Sequence, residues 1–174
     1  MKALITLLSL TFSLLTLPIS ADTSSGWDHA VRNHQISKDI KVYRSPDCQC
    51  CHKWITHLQK HQFNVIDLLT PDMANVKETV KLPRKMASCH TAMIEGYIIE
   101  GHVPADDIKR LLAEKPDIAG LSVPQMPVGT PGMEIGTRKD TFIVFQFDNT
   151  GNYSIFNKYH IDENNDYQSH PTEH

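Results

Sequence analysis

The sequence has no long apolar run beyond its first twenty residues, no excess of positive charge and no internal repeat. The first absence excludes a later membrane span, which needs ~20 mostly apolar residues. The second excludes a basic nucleic-acid binder: 17 Lys and Arg face 20 Asp and Glu, a formal net charge of −3. A phosphate-cradling loop and an evident Ser-His-Asp arrangement are also missing. Disorder throughout is excluded too, because 40% of the 174 residues are hydrophobic. That length suits one domain with its own core. Four Cys are too few for a disulfide scaffold. Their placement carries the information: three fall within four residues, beside a background of ten His and six Met.

Met1-Lys2 is a positive start, Ala3 to Leu17 is almost wholly apolar or hydroxylic, and Pro18-Ile19-Ser20-Ala21 offers small residues for cleavage. Residues 1–21 read as a secretory signal peptide, too short for an anchor. No Cys lies near the cleavage site to carry a lipid. Export would bring the cysteines into an oxidising compartment, where disulfides persist. Residues 22–39 form a polar lead-in in which Trp27, Val31 and Ile36 could pack. The domain proper spans 40–161, and 162–174 is a polar tail expected to be disordered.

Within the domain, Ile40 to Arg44 alternates and is β-branched, which predicts a strand. A helix is expected from Cys48, with Cys51, Trp54, Ile55 and Leu58 on one face. Phe63 to Leu69 is a second strand. Thr70 as cap and Pro71 at the first position predict a helix carrying Met73, Val76 and Val80. Glu95-Gly96 turns between two short strands, 91–94 and 97–99. A third helix spans Pro104 to Lys115, with Asp106 and Asp107 favouring its positive end. Gly120 to Gly136 reads as a Gly/Pro loop, and 141–147 with 153–156 as a hairpin. The expected fold class is therefore α/β: a thioredoxin-like β-α-β-α-β-β-α layer with a C-terminal β-hairpin.

Cys48-Gln49-Cys50-Cys51 holds a CxC, a vicinal pair and a CxxC at once. At a helix N-terminus its thiols feel the positive end of the dipole, which favours thiolates, and Arg44, His52 and Lys53 would add to this. Three chemistries compete. Thiol–disulfide exchange needs only Cys48 and Cys51 and leaves Cys50 and Cys89 without a role. Structural zinc prefers separated ligand pairs. A soft ion suits crowded sulfur best, since thiolates and thioethers select Cu(I) and thiolates can bridge several ions. In a thioredoxin-like chain the loop before the third strand faces the Cys-bearing helix start. Ser88-Cys89-His90 occupies that loop, without the proline usual there, so Cys89 is the expected fourth thiol.

His52 and His90, adjacent to Cys51 and Cys89, are further ligand or proton-carrier candidates. Met126 and Met133 sit in the Gly/Pro loop, where no helical stripe accounts for them, and are thioether candidates. Met73, Met86 and Met93 read as core or cover. His57 and His61 have metal spacing on a helix but read as a solvated face. His102 reads as structural, His170 and His174 as weak scavengers of metal in the tail, and Asp106-Asp107 as a helix-dipole device.

Val42-Tyr43-Arg44-Ser45-Pro46-Asp47-Cys48-Gln49-Cys50-Cys51, followed by Trp54, resembles the start of the DUF411 family. Ser88-Cys89-His90-Thr91-Ala92, Gly96-Tyr97, Glu100 to Ala105 and Ile108 resemble its middle, and Gly120-Leu121 to Gly132-Met133-Glu134 its end. The chain departs from the family at Gln125, where Gly is common. The resemblance implies a thioredoxin-like fold and a periplasmic role in copper handling and resistance. It implies copper held by Cys48, Cys50 and Cys51 with Cys89 as the further matching thiol, and interconversion of Cu(I) and Cu(II), which would make the chain a copper oxidoreductase. The expectation is thus an exported protein that holds Cu(I) in a thiolate site, polynuclear clusters included. Its partners would be copper ions and periplasmic copper export or oxidase proteins, with no nucleic acid and no membrane span after signal cleavage. The alternative is a thiol–disulfide oxidoreductase using Cys48 and Cys51.

Overall fold

A computed structural model describes residues 26–27 and 38–172. The signal-peptide reading, most of the lead-in (Val31 and Ile36 included) and His174 lie outside the described residues. The alternating segment after Lys38 forms β1 (Asp39–Arg44), followed by α1 (Gln49–Lys60), β2 (Asn64–Leu69) and α2 (Met73–Thr79). After one 3-10 turn come β3 (Thr91–Ile94), β4 (Tyr97–Glu100), α3 (Ala105–Glu114) and β5 (Gly120–Ser122). β6 (Phe142–Phe147), β7 (Tyr153–Ile161) and β8 (Tyr167–Pro171) complete a mixed α/β domain. All eight strands make one sheet in the order β2-β1-β3-β4-β5-β6-β7-β8. β1 and β2 run parallel, joined through α1, whereas β3 is antiparallel to both β1 and β4. No helix among the described residues is long and apolar enough to cross a membrane.

Strand parity separates two clusters. Ile40, Val42, Ala92, Ile99, Leu121 and Val144 pack with Trp54, Ile55 and Leu58 of α1 and Ile108 and Leu111 of α3. Ile98 and Phe147 point the other way, onto Met86, with Val80 and Leu82 after α2. The sheet thus carries α1 and α3 over one face and the end of α2 over the other. Trp27 joins the larger cluster, edge-on to Phe142 and Tyr159, and its indole N–H donates to the Gly129 carbonyl at 2.8 Å.

Several expectations are corrected. The second helix starts later than predicted, because Asp72 rather than Thr70 caps it, accepting from the Asn75 N–H at 3.0 Å. The first residues of the expected loop form β5, wedged between β4 and β6. The expected hairpin is there as β6 and β7, its second strand running on to Ile161, and β6 continues the sheet from β5. The described part of the tail, through Thr172, is not disordered: Asp162 accepts from the Asn164 and Asp166 amides at 2.9 Å each, closing a turn that returns β8 onto β7. Asp107 is more than a dipole device. It is 3% exposed and accepts from Asn157 Nδ2 and the Tyr159 hydroxyl at 2.8 Å each, tying α3 to β7.

His57 and His61 are buried, not solvated, because they continue the stripe begun by Trp54 and Leu58. α3 begins at Pro104, which offers no side-chain cap. His57 Nε2 fills that role by accepting the Ala105 N–H at 3.1 Å. Burial, with smaller contributions from His61 and Lys109, holds the His57 imidazole well below its ordinary 6.5. The unfolded chain therefore binds a proton that folded His57 refuses. The stability this group confers is complete above about pH 6.5 and is lost as pH falls from there toward the folded value. Urea unfolding at pH 7 and pH 5 should show His57→Asn losing less stability between the two than the wild type does. Equal losses would remove His57 as a source. Asp107, held up to about 6 by burial, titrates in the opposite sense in both chains and so cancels from the comparison.

Candidate metal centre

The site assembles where β1 ends. Ser45-Pro46-Asp47 breaks the strand, and the Cys48 N–H donates to the Ser45 carbonyl at 3.1 Å, closing the turn into α1. Cys48 is the N-cap: its Sγ accepts from the Cys51 N–H at 3.3 Å. The sulfur thus satisfies a helix-terminal donor, a role oxygen usually fills. Cys48 and Cys51 form a disulfide with Cα atoms 5.4 Å apart, and Cys50 Sγ lies 3.5 Å from Cys48 Sγ. The four sulfurs of Cys48, Cys50, Cys51 and Cys89 all lie within 4.8 Å of one another. The placement expected for Cys89, opposite the helix start, is what the structure has. The Arg44 guanidinium makes a two-pronged pair with Asp67, at 2.9 and 2.7 Å.

A second cluster shares Cys89. His90 Nδ1 and His102 Nε2 each lie 3.2 Å from Cys89 Sγ. His102 donates from Nδ1 to the Pro131 carbonyl at 2.7 Å, which leaves the Nε2 lone pair aimed at the sulfur. Burial lowers His102 to about 4 and holds His90 well below its ordinary value, so both rings are neutral at pH 7 and able to ligate. Burial also pushes the Cys89 thiol up to about 12, with the facing Cys50 adding to it. A metal at Cys89 must therefore displace the thiol proton to solvent, while the neutral imidazoles keep their lone pairs free to ligate.

Sequence reasoning placed His102 among structural residues. The available signal was topological: His102 follows β4, the antiparallel neighbour of β3, and so returns to the end of the sheet where Cys89 enters. His52 is exposed on α1 and joins neither cluster of ligand atoms. Met126 is 49% exposed and Met133 is half-buried.

The loop bearing both methionines is pinned against the site. Ser88 Oγ donates to the Gln125 carbonyl, and the Gln125 N–H to the Ala87 carbonyl at 3.3 Å. Gln125 has φ +63°, the left-handed backbone that glycine favours, so this position is under backbone demand. At Gly132 (φ +84°) a Cβ would stand 2.6 Å from the Trp54 nitrogen and 2.8 Å from the Cys50 oxygen. Only glycine lets the loop rest on the first turn of α1.

An α/β sheet that sets four sulfurs and two neutral imidazoles at the end of β1 defines a thiol-rich, metal-capable protein. The chain belongs to the DUF411 family: the pattern described as "Protein of unknown function, DUF411" matches residues 86–133. Two solved structures agree. "Copper resistance protein copG", Form 1, is 44% identical with a TM-score of 0.67, over 71% of this chain and 98% of that one. Form 2 of the same protein has the same identity and score, over 70% and 98%. No curated protein sequence matches.

Proposed function

We propose that the chain is an exported copper protein that holds Cu(I) through Cys48, Cys50, Cys51 and Cys89 and serves copper resistance. The observation that carries this reading is the four-sulfur cluster within 4.8 Å. Soft, closely packed sulfur suits Cu(I), and sulfurs this close can bridge more than one ion. The match to a copper resistance protein supports the same cargo. His90 and His102 complete the ligand set on the Cys89 side. Met133, next to the glycine that rests on α1, is better placed than exposed Met126. The strand order β2-β1-β3-β4, with the cysteines opening the helix after β1, supports a thioredoxin-like frame. The first 21 residues support export to the periplasm, where a copper exporter or oxidase would be the partner. Cu(I) titration of the reduced chain without oxygen, against a competing chelator, should show tight binding. The triple variant C48S/C50S/C51S should lose it, and tight binding in that variant would overturn the reading.

The disulfide favours a second reading, thiol–disulfide exchange through Cys48 and Cys51. Insulin reduction separates the two. An oxidoreductase turns over with Cys50→Ser as well as with the wild type, whereas a copper site needs Cys50. Both readings meet in copper redox chemistry: oxidising the Cys48 and Cys51 thiols to a disulfide releases two protons and two electrons, enough to reduce two Cu(II) to Cu(I).

A further inference from the structure

β7 and β8 carry histidines that the sulfur site does not use. His160 pairs with Gln168 in register and Lys158 with His170, so His160 and His170 are diagonal neighbours on one face of the sheet. Both are exposed, while Tyr159 between Lys158 and His160 is buried. Their rings stack, with centroids 4.5 Å apart and planes 29° apart. Asp162 lies two residues beyond His160, on the same face. Its Oδ2 accepts from Gln168 Nε2 at 2.7 Å and its Oδ1 from two backbone amides.

The geometry points to a second metal site, a two-imidazole chelate for a borderline divalent cation. Imidazole nitrogens bind such an ion at about 2.0 Å. Two exposed rings at this separation reach one ion by turning about their side-chain torsions, with no backbone change. Imidazole suits Zn(II), Ni(II) and Cu(II), and the affinity order for a given site places Cu(II) above the others. The site lacks sulfur, so it has no preference for Cu(I). Lys158 faces the same way as His170 and weakens a cation there through charge repulsion, so Lys158→Gln should tighten the site.

Cu(II) titrated into the full chain and followed by electron paramagnetic resonance should show nitrogen coupling from two imidazoles. H160A and H170A should each weaken this binding by about tenfold or more, because each removes one arm of a chelate. Both positions are exposed, and unfolding curves check that the variants fold. The double variant should lose the two-nitrogen signal while binding Cu(I) as the wild type does. A two-nitrogen signal of unchanged affinity in the double variant overturns the proposal, whichever histidines supply it. Failure of the sulfur-site reading would show separately, as Cu(I) binding absent from the wild type and the double variant alike.

Discussion

Glu100→Ala should destabilise the fold by about 3–5 kcal/mol, the cost of breaking a buried ion pair from one side. Glu100 is fully buried at the end of β4 and pairs with Lys77 of α2. Its Oε2 accepts from the Thr91 hydroxyl at 2.6 Å and its Oε1 from the Ser88 N–H at 2.7 Å. Burial raises the Glu100 carboxyl above its usual range, and Lys77 with the two other donors opposes that rise. Removal takes the acceptor from the Thr91 hydroxyl and the Ser88 N–H and leaves Lys77 with only the Thr91 oxygen, at 3.0 Å. A large share of a domain's typical ~5–15 kcal/mol would go with these bonds. The bond to Ser88 is also what fixes the backbone one residue before Cys89. Urea unfolding measures the cost, and the alkylation rate of Cys89 in urea-free buffer measures how far its loop is released. A loss under about 1 kcal/mol would mean that water replaces the carboxylate and that the pair is not sealed.

Trp54→Ala should cost about as much, roughly 3–5 kcal/mol. The side chain is fully buried at the centre of the larger cluster. Its indole N–H donates to the Val103 carbonyl at 2.9 Å, and its ring lies against His90 with centroids 4.3 Å apart. Truncation leaves a cavity, an unpaired carbonyl and a His90 ring without its wall. Trp54→Phe keeps much of the packing and loses the bond, so it should cost only about 1–3 kcal/mol. Thermal unfolding of the two variants separates the contributions, and equal costs would show that the cavity contributes little.

What the sequence made legible follows from local physics. Alternation marked β1, the stripe from Cys51 to Leu58 marked α1, and turn chemistry marked the β3–β4 and β6–β7 hairpins. The cysteine cluster was legible because all its members but Cys89 are adjacent, and Cys89 because topology returns its loop to the start of α1. The failures concern residues whose burial depends on distant partners. His57 is polar by type, yet it lies three residues after Trp54 and four before His61, which puts it on the inner face. There it caps α3, a helix far along the chain. Asp107 was read through its own helix, although Asn157 and Tyr159 decide its environment. β8 is short and polar, and only the turn centred on Asp162 brings it onto the sheet. Asn165 supplies the positive φ that this turn needs, 63°, a conformation Asn tolerates.

The contact of Gly132 with the first turn of α1 has a consequence for the order of events in folding. β6, β7 and β8 are sequence neighbours that close through short turns, at small entropic cost. The sulfur site instead needs the start of α1, the loop bearing Cys89 and the loop at Gly132 to meet across about half of the chain. Contacts of such wide separation are slow to form. Cys89 is therefore expected to join the other three sulfurs after the C-terminal meander has formed. Under oxidising conditions a chain still collapsing would pass through a stage in which cysteines close in sequence can pair before Cys89 arrives.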